Sequence, residues 1–242
     1  MPSPEAIGLA VAWVAWAGLL FGGLAAGPID AAAGGRMPPA TRLASSGVLA
    51  LAAWGWLATA WVERAGLYAL LIAVGMSLGL VGDLFMASVL PAPHPALGGM
   101  GAFALGHMAY CGAFLVLAGT PGVAAGPVLT LSWLVWLGIG VASWYAVAQR
   151  GERPGLLRAL ALPYTLLLAS TAGLGLGLGL TRPVLLLLAL GGALFFVSDL
   201  LIAMRLFRDV RRPEWNDLIW LTYGPAQMLI VYSVGLARGL MR

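Results

Sequence analysis

Charge is what this sequence has least of. Only 9% of its 242 residues are charged, while 61% are hydrophobic. A soluble domain carries roughly a quarter charged residues. So little charge does not cover a water-exposed surface of this size, and a bilayer is the expected solvent for most of the chain. Lysine is absent: all 13 basic residues are arginine. That excludes a Schiff-base lysine and the lysine of a phosphate-binding P-loop. Cysteine occurs once, at Cys111, which excludes an intrachain disulfide. The net charge of +4 is small and spread over loops. It reads as membrane topology, with no nucleic-acid partner expected. No basic stretch precedes the first apolar run, which is therefore expected to be a retained span.

Long apolar runs are what the sequence has instead. A span needs about 20 such residues. Eight candidates are legible, at 6–26, 43–62, 67–87, 99–118, 127–148, 158–180, 184–204 and 217–237. They predict an all-α integral membrane bundle forming a single transmembrane domain over residues 1–242. The segments between them are polar or rich in Gly and Pro, such as Met37-Pro38-Pro39, Pro91 to Pro95 and Arg205 to Pro213. Arginine counts orient the bundle. The loops after spans 1, 5 and 7 hold nine arginines and the opposite side four. This places those loops in the cytoplasm and both termini outside, in a bacterial-type inner membrane. In span 6 glycine alternates with leucine at Gly173, Gly175, Gly177 and Gly179, a pattern for close helix packing. Tryptophans near span ends, such as Trp61, read as interfacial anchors.

Two residues conflict with the apolar pattern. An Asp at the centre of a membrane helix costs about 2.5–3.5 kcal/mol on insertion scales. Seven of the nine acidic residues fall in loops or at span edges; Asp83 and Asp199 lie inside apolar helices. Such residues usually face the bundle interior and serve function. Both sit near the cytoplasmic ends of their spans, about 7–10 Å deep at 1.5 Å per residue. The following spans carry the next polar groups, His107 and Tyr110 in span 4 and Tyr223 and Gln227 in span 8. Asp199 lies 116 residues after Asp83, and Tyr223 lies 116 residues after His107. The equal offsets suggest a four-plus-four internal duplication with a shared central site.

Other motifs are weaker. Gly75-Met76-Ser77-Leu78-Gly79 matches the G-x-S-x-G pattern, but that motif needs a strand-to-helix turn, and here it lies inside an apolar helix. Two histidines, one of them His94 in a proline-rich loop, do not make a three-His zinc site. An Asp83–His107–Asp199 metal site stays open as an alternative, although the reading adopted here invokes no cofactor and no metal.

Four segments carry a resemblance: Gly82-Asp83-Leu84-Phe85-Met86-Ala87, Leu105-Gly106-His107-Met108-Ala109-Tyr110, Phe196-Val197-Ser198-Asp199-Leu200-Leu201-Ile202-Ala203 and Tyr223-Gly224-Pro225-Ala226-Gln227-Met228-Leu229-Ile230. In this order on an eight-span chain they resemble the YhhN-like lysoplasmalogenase family of membrane proteins. The resemblance implies hydrolysis of the vinyl ether bond of lysoplasmalogens to a fatty aldehyde and glycerophospho-ethanolamine or -choline. It places the working acids at Asp83 and Asp199, with His107, Tyr110, Ser198, Tyr223 and Gln227 as supporting residues. The family often has a basic residue followed by proline at the start of span 2. Here Arg42-Leu43 occupies that place without the proline, and Arg42 is the candidate phosphate contact.

Paired carboxylates suit that chemistry on their own terms. A vinyl ether is stable to base and labile to acid. Protonation at its β-carbon gives an oxocarbenium ion, which water captures, as in glycoside hydrolysis. One Asp is expected to act as general acid and the other as cation stabiliser and water base, with the assignment open. A lysolipid partner fits the location, its tail among the helices and its phosphate near Arg205, Arg208 and Arg211. The competing reading is a proton-coupled small-molecule or lipid transporter using the same Asp pair. A non-catalytic lipid-binding protein is a third.

Overall fold

The computed structural model describes residues 3–29, 35–123, 126–151, 155–210, 212 and 214–241. Among these the chain forms eight long helices and no strand: α1 (Pro4–Ala26), α2 (Pro39–Ala60), α3 (Gly66–Met86), α4 (Pro95–Ala118), α5 (Gly126–Trp144), α6 (Leu156–Thr181), α7 (Leu186–Arg208) and α8 (Trp215–Leu240). A π-helical turn, Tyr145–Gln149, extends α5, and a 3₁₀ turn, Pro183–Leu185, leads into α7. All eight are long and apolar enough to cross a membrane. The chain is an integral membrane protein, as expected where helices alone satisfy every backbone group inside a segment.

Several helices start earlier than the apolar runs suggest. α2 begins at Pro39 and α4 at Pro95, both within segments expected to be loop. Proline lacks an N–H that the first turn does not use, so it opens a helix rather than ending the loop before it. At the other end of the range, α7 continues to Arg208, with Arg205 and Arg208 in its last turn, where the macrodipole favours cations.

The alternating glycines of α6 divide their work between two neighbours. A methyl group on Gly173 or Gly177 would come within 2.8 Å of Trp133 Cα or 2.7 Å of Leu129 Cα on α5. One on Gly175 or Gly179 would meet Leu188 or Leu186 and Ala189 at the start of α7. Two interleaved i,i+4 glycine pairs thus let α6 approach both helices closely.

Helix pairing repeats at an offset of four. α1–α2, α2–α3 and α3–α4 pack extensively, and so do α5–α6, α6–α7 and α7–α8. The halves join through α2–α8 and its counterpart α4–α6. This is the arrangement a four-plus-four duplication calls for. The correspondence then breaks: α8 also packs on α3 and α1, whereas α4 has no comparable packing on α7 or α5 among the described residues.

Candidate active site

Asp83 stands one turn before the end of α3, and Asp199 in the second half of α7. Their helices are not among the extensively packed pairs. Instead both carboxylates line one chamber, with α8 closing one side and Phe103 of α4 another. The chamber encloses about 700 Å³ including its mouth. Arg42 of α2, Arg205 of α7 and Asn216 of α8 border it toward the arginine-rich end of the bundle, and Tyr223 borders it deeper, beside Asp83. Both aspartates are buried, at 6% and 7% exposure.

Each carboxylate is held by hydroxyl donors. Ser46 Oγ of α2 donates to Asp83 Oδ2 at 2.6 Å, and the Tyr223 hydroxyl donates to the same oxygen at 3.0 Å. The Tyr223 oxygen accepts from Gln227 Nε2 at 3.1 Å, and Gln227 Oε1 accepts from the Tyr110 hydroxyl at 2.6 Å. One chain of hydrogen bonds therefore runs from α4 through α8 and α3 to α2. Asp199 Oδ2 accepts from the Tyr164 hydroxyl of α6. The two halves share this pattern: α2 supplies a donor to the α3 aspartate, and α6 supplies one to the α7 aspartate. Buried polar groups need such partners, since an unpaired one costs about 1–3 kcal/mol.

Three glycines of α3 make room for this network. A Cβ on Gly79 would lie 2.7 Å from Gln227 Nε2, and one on Gly82 would lie 2.8 Å from the Phe103 ring. One on Gly75 would collide with the Tyr110 ring. Gly75 and Gly79 thus serve packing rather than a nucleophile turn. Ser77 between them faces out of the bundle core, donating to its own Ala73 carbonyl at 2.8 Å and accepting from Trp54 Nε1 at 3.0 Å.

The sequence-selected residues separate by position. Asp83, Asp199, Tyr223 and Arg42 line the chamber. Tyr110 and Gln227 lie behind it as supports of Tyr223. His107 lies elsewhere: its Nδ1 is 3.0 Å from Thr171 Oγ1 on α6, its ring packs on Phe195 at 4.5 Å, and it sits between Tyr110 and Tyr164. Its Nε2 is buried without a partner among the described residues. Among the described residues no group of three His, Cys, Asp or Glu side chains is gathered in the manner of a metal site. Ser198 donates to the Ile219 carbonyl at 3.3 Å and ties α7 to α8. Of the three arginines expected near a phosphate, Arg205 lines the chamber and bonds Asn216. Arg208 instead donates to the Ala146 carbonyl at 2.5 Å. Arg211 lies outside the described residues.

Sequence reasoning missed Ser46, Tyr164, Asn216 and Asp217. Asp217 looked like a span-edge residue, yet it is 4% exposed and accepts from the backbone N–H groups of Arg36 at 2.6 Å and Met37 at 3.0 Å. The Met37 carbonyl in turn accepts from Arg42 Nε at 2.7 Å. Asp217 thereby fixes the strap that holds Arg42 at the chamber. Tyr164 carried a readable signal, a phenol inside an apolar span; Asp217 carried none, because its partners are backbone groups.

A second cavity meets the first at Asp199. It runs between α4, α5, α6 and α7, is lined almost wholly by apolar side chains, and shares Met86, Phe103, Asp199 and Ile202 with the chamber.

The family model described as the YhhN family matches residues 39–234, well over half of the chain. The chain therefore belongs to the YhhN family. No curated protein and no solved structure matches it.

Proposed function

We propose that this YhhN-family membrane protein is a hydrolase that cleaves the vinyl ether bond of lysoplasmalogens, giving a fatty aldehyde and glycerophospho-ethanolamine or -choline. The observation that carries the reading is the meeting of two buried carboxylates, Asp83 and Asp199, in one chamber whose outer border holds Arg42 and Arg205. An acid and a base are what the chemistry requires, and a phosphate-bearing head calls for arginine near them.

One carboxyl passes its proton to the β-carbon of the double bond, leaving an oxocarbenium ion. Water adds to the ether carbon while the second carboxylate takes a proton from it. The hemiacetal hydroxyl then gives its proton to the departing glycerol oxygen, the C–O bond breaks, and the aldehyde forms. Tyr164 and the pair Ser46–Tyr223 orient the two carboxylates. Arg42 and Arg205 receive the phosphate, an anion that a guanidinium binds through paired donors.

The test is incubation of the purified protein with choline and ethanolamine lysoplasmalogens, measuring aldehyde. A saturated alkyl-ether lysolipid is the inert control. Asp83→Asn and Asp199→Asn are each expected to lower turnover by at least about 10²-fold, the lower range for acid–base catalysis. Near-wild-type turnover by either folded variant sinks the two-acid mechanism. The repeated helix pairing also favours a second reading, a proton-coupled carrier. Uptake of a lysolipid into proteoliposomes with no aldehyde would select it.

A further inference from the structure

The apolar cavity beside the chamber is a groove of about 700 Å³ including its open side. Its walls include Met100 of α4, Val147 and Ala148 of the π-helical turn, Ala161 of α6, and Leu206 and Phe207 of α7. Two of the hydroxyls that border it already donate hydrogen bonds within the protein. Tyr164 donates to Asp199, and Thr165 donates to the Ala161 carbonyl at 2.7 Å. Asp199 is the carboxylate at its junction with the chamber.

The groove lies where the repeated helix pairing fails. α8 packs on α1 and α3, whereas among the described residues α4 lacks comparable packing on α5 and α7. A helix pair is thus replaced by an opening, bordered by α4 on one side and by α5 on the other. Its far wall is a separate small cluster, Ala148, Ala161 and Phe207 with flanking Trp144, Val147 and Leu206, distinct from the main core. That wall is pinned at its end. Gly151 abuts Phe207, where a Cβ would lie 2.7 Å from the Phe207 carbonyl oxygen, and Arg208 donates to Ala146. The π-helical turn, a feature often found at functional sites, forms part of it.

We infer that this groove holds the aliphatic chain of a single-chain lipid whose head lies in the chamber, that the chain arrives laterally between α4 and α5, and that Ala148 and Ala161 set the length it accepts. The occupant follows from continuity. A polar compartment with arginines and carboxylates joins an apolar one at Met86, Phe103, Asp199 and Ile202, and a molecule filling both has an anionic head and a hydrocarbon tail. The inference rests on the proposed hydrolysis for one further consequence. With the tail in the groove, the chain-side β-carbon of the vinyl ether faces Asp199 and the ether carbon faces the chamber. Asp199 is then the proton donor and Asp83 the base for water.

Two measurements test this. In the first, an alkyl-ether lysophospholipid with a diazirine at its chain terminus is photolysed with the purified wild-type protein, and labelled peptides are mapped. Label on 143–148, 161–168 or 203–207, lost in excess unlabelled lysolipid and in Ala161→Phe, supports the groove. Label spread over the outer helix faces, unaffected by competitor, overturns it. This readout needs no turnover: specific labelling without any aldehyde release would leave the groove standing and remove the hydrolase reading. In the second, Ala161→Phe and the milder Ala148→Val are assayed on lysoplasmalogens of 8 and 18 chain carbons. A loss of at least tenfold in kcat/KM for the long chain, with less than twofold for the short one, is expected. Equal losses for both lengths, with hydrolysis intact, overturn the groove and leave the hydrolase reading in place.

Discussion

The Tyr223 hydroxyl lies 3.0 Å from Asp83 Oδ2 and joins residues 140 positions apart in the chain. Tyr223 also accepts from Gln227, so it is both the inner wall of the chamber and a link in the network behind it. Tyr223→Phe keeps the ring, which packs edge-on against Phe103, Phe195 and Trp220. It removes a donor to a carboxylate, worth about 1.5–3 kcal/mol. At 1.36 kcal/mol per tenfold, kcat/KM for aldehyde release should fall about 10- to 150-fold. The melting temperature should drop as well, because Gln227 Nε2 loses its acceptor. Unchanged kinetics would remove Tyr223 from the site.

Tyr164 makes the equivalent bond to Asp199, but its hydroxyl borders the apolar groove. Tyr164→Phe leaves Asp199 without that donor. The expected outcome is a fall in kcat of about 10- to 100-fold, because the lost hydrogen bond is strongest when Asp199 becomes charged on giving up its proton. KM for a short-chain substrate should change little, since the ring that lines the groove is retained. Steady-state kinetics on two chain lengths check this, and an effect on KM alone would show that Tyr164 only shapes the groove.

Asp217 itself does not line the chamber, and its effect should be on binding. It anchors the N–H groups of Arg36 and Met37, and Met37 holds Arg42. Asp217→Asn preserves shape and one acceptor, but weakens two hydrogen bonds to a buried carboxylate. KM for lysoplasmalogen should rise about tenfold with kcat within a factor of about two, since ground-state and transition-state binding are lost together. Arg42→Lys should do the same, because an ammonium does not reproduce the paired donors of a guanidinium. A fall in kcat with unchanged KM would place Arg42 in the chemistry instead of in headgroup binding.

Much of this was legible because the bilayer simplifies the code. Eight apolar runs gave eight helices, and two carboxylates stood out only because a membrane makes Asp83 and Asp199 costly. The errors at helix starts came from Pro39 and Pro95, which the eye takes as breakers although the first turn tolerates them. The supporting residues were harder. His107 and Tyr110 lie three apart on one face, yet Tyr110 turns to Gln227 and His107 to Thr171. Which neighbour a helix faces is set by packing, and sequence spacing does not specify it. Ser46 and Tyr164 were overlooked because hydroxyls are common in membrane spans and most bond their own backbone, as Thr165 and Ser170 do. The groove was invisible in sequence, being the place where two helices fail to meet.

Close packing of α3 gives the last expectation. Gly79 is where a methyl group would lie 2.7 Å from Gln227 Nε2 and 3.3 Å from the Tyr223 hydroxyl. Neither side chain has room to retreat, since Gln227 is fully buried and Tyr223 is held by Asp83. Gly79→Ala should therefore cost about 1–3 kcal/mol through overpacking and displace the donor of Asp83. Gly101 on α4 is the matched control: a methyl there meets nothing within 4 Å, and alanine is the better helix former. Thermal unfolding in detergent should show Gly79→Ala destabilised and Gly101→Ala equal to or above wild type. Aldehyde release should fall with Gly79→Ala by more than its unfolded fraction at the assay temperature accounts for, because the surviving folded molecules carry a displaced Tyr223. If activity merely tracked the folded fraction, the network behind Asp83 would be structural, and its link to turnover would fail.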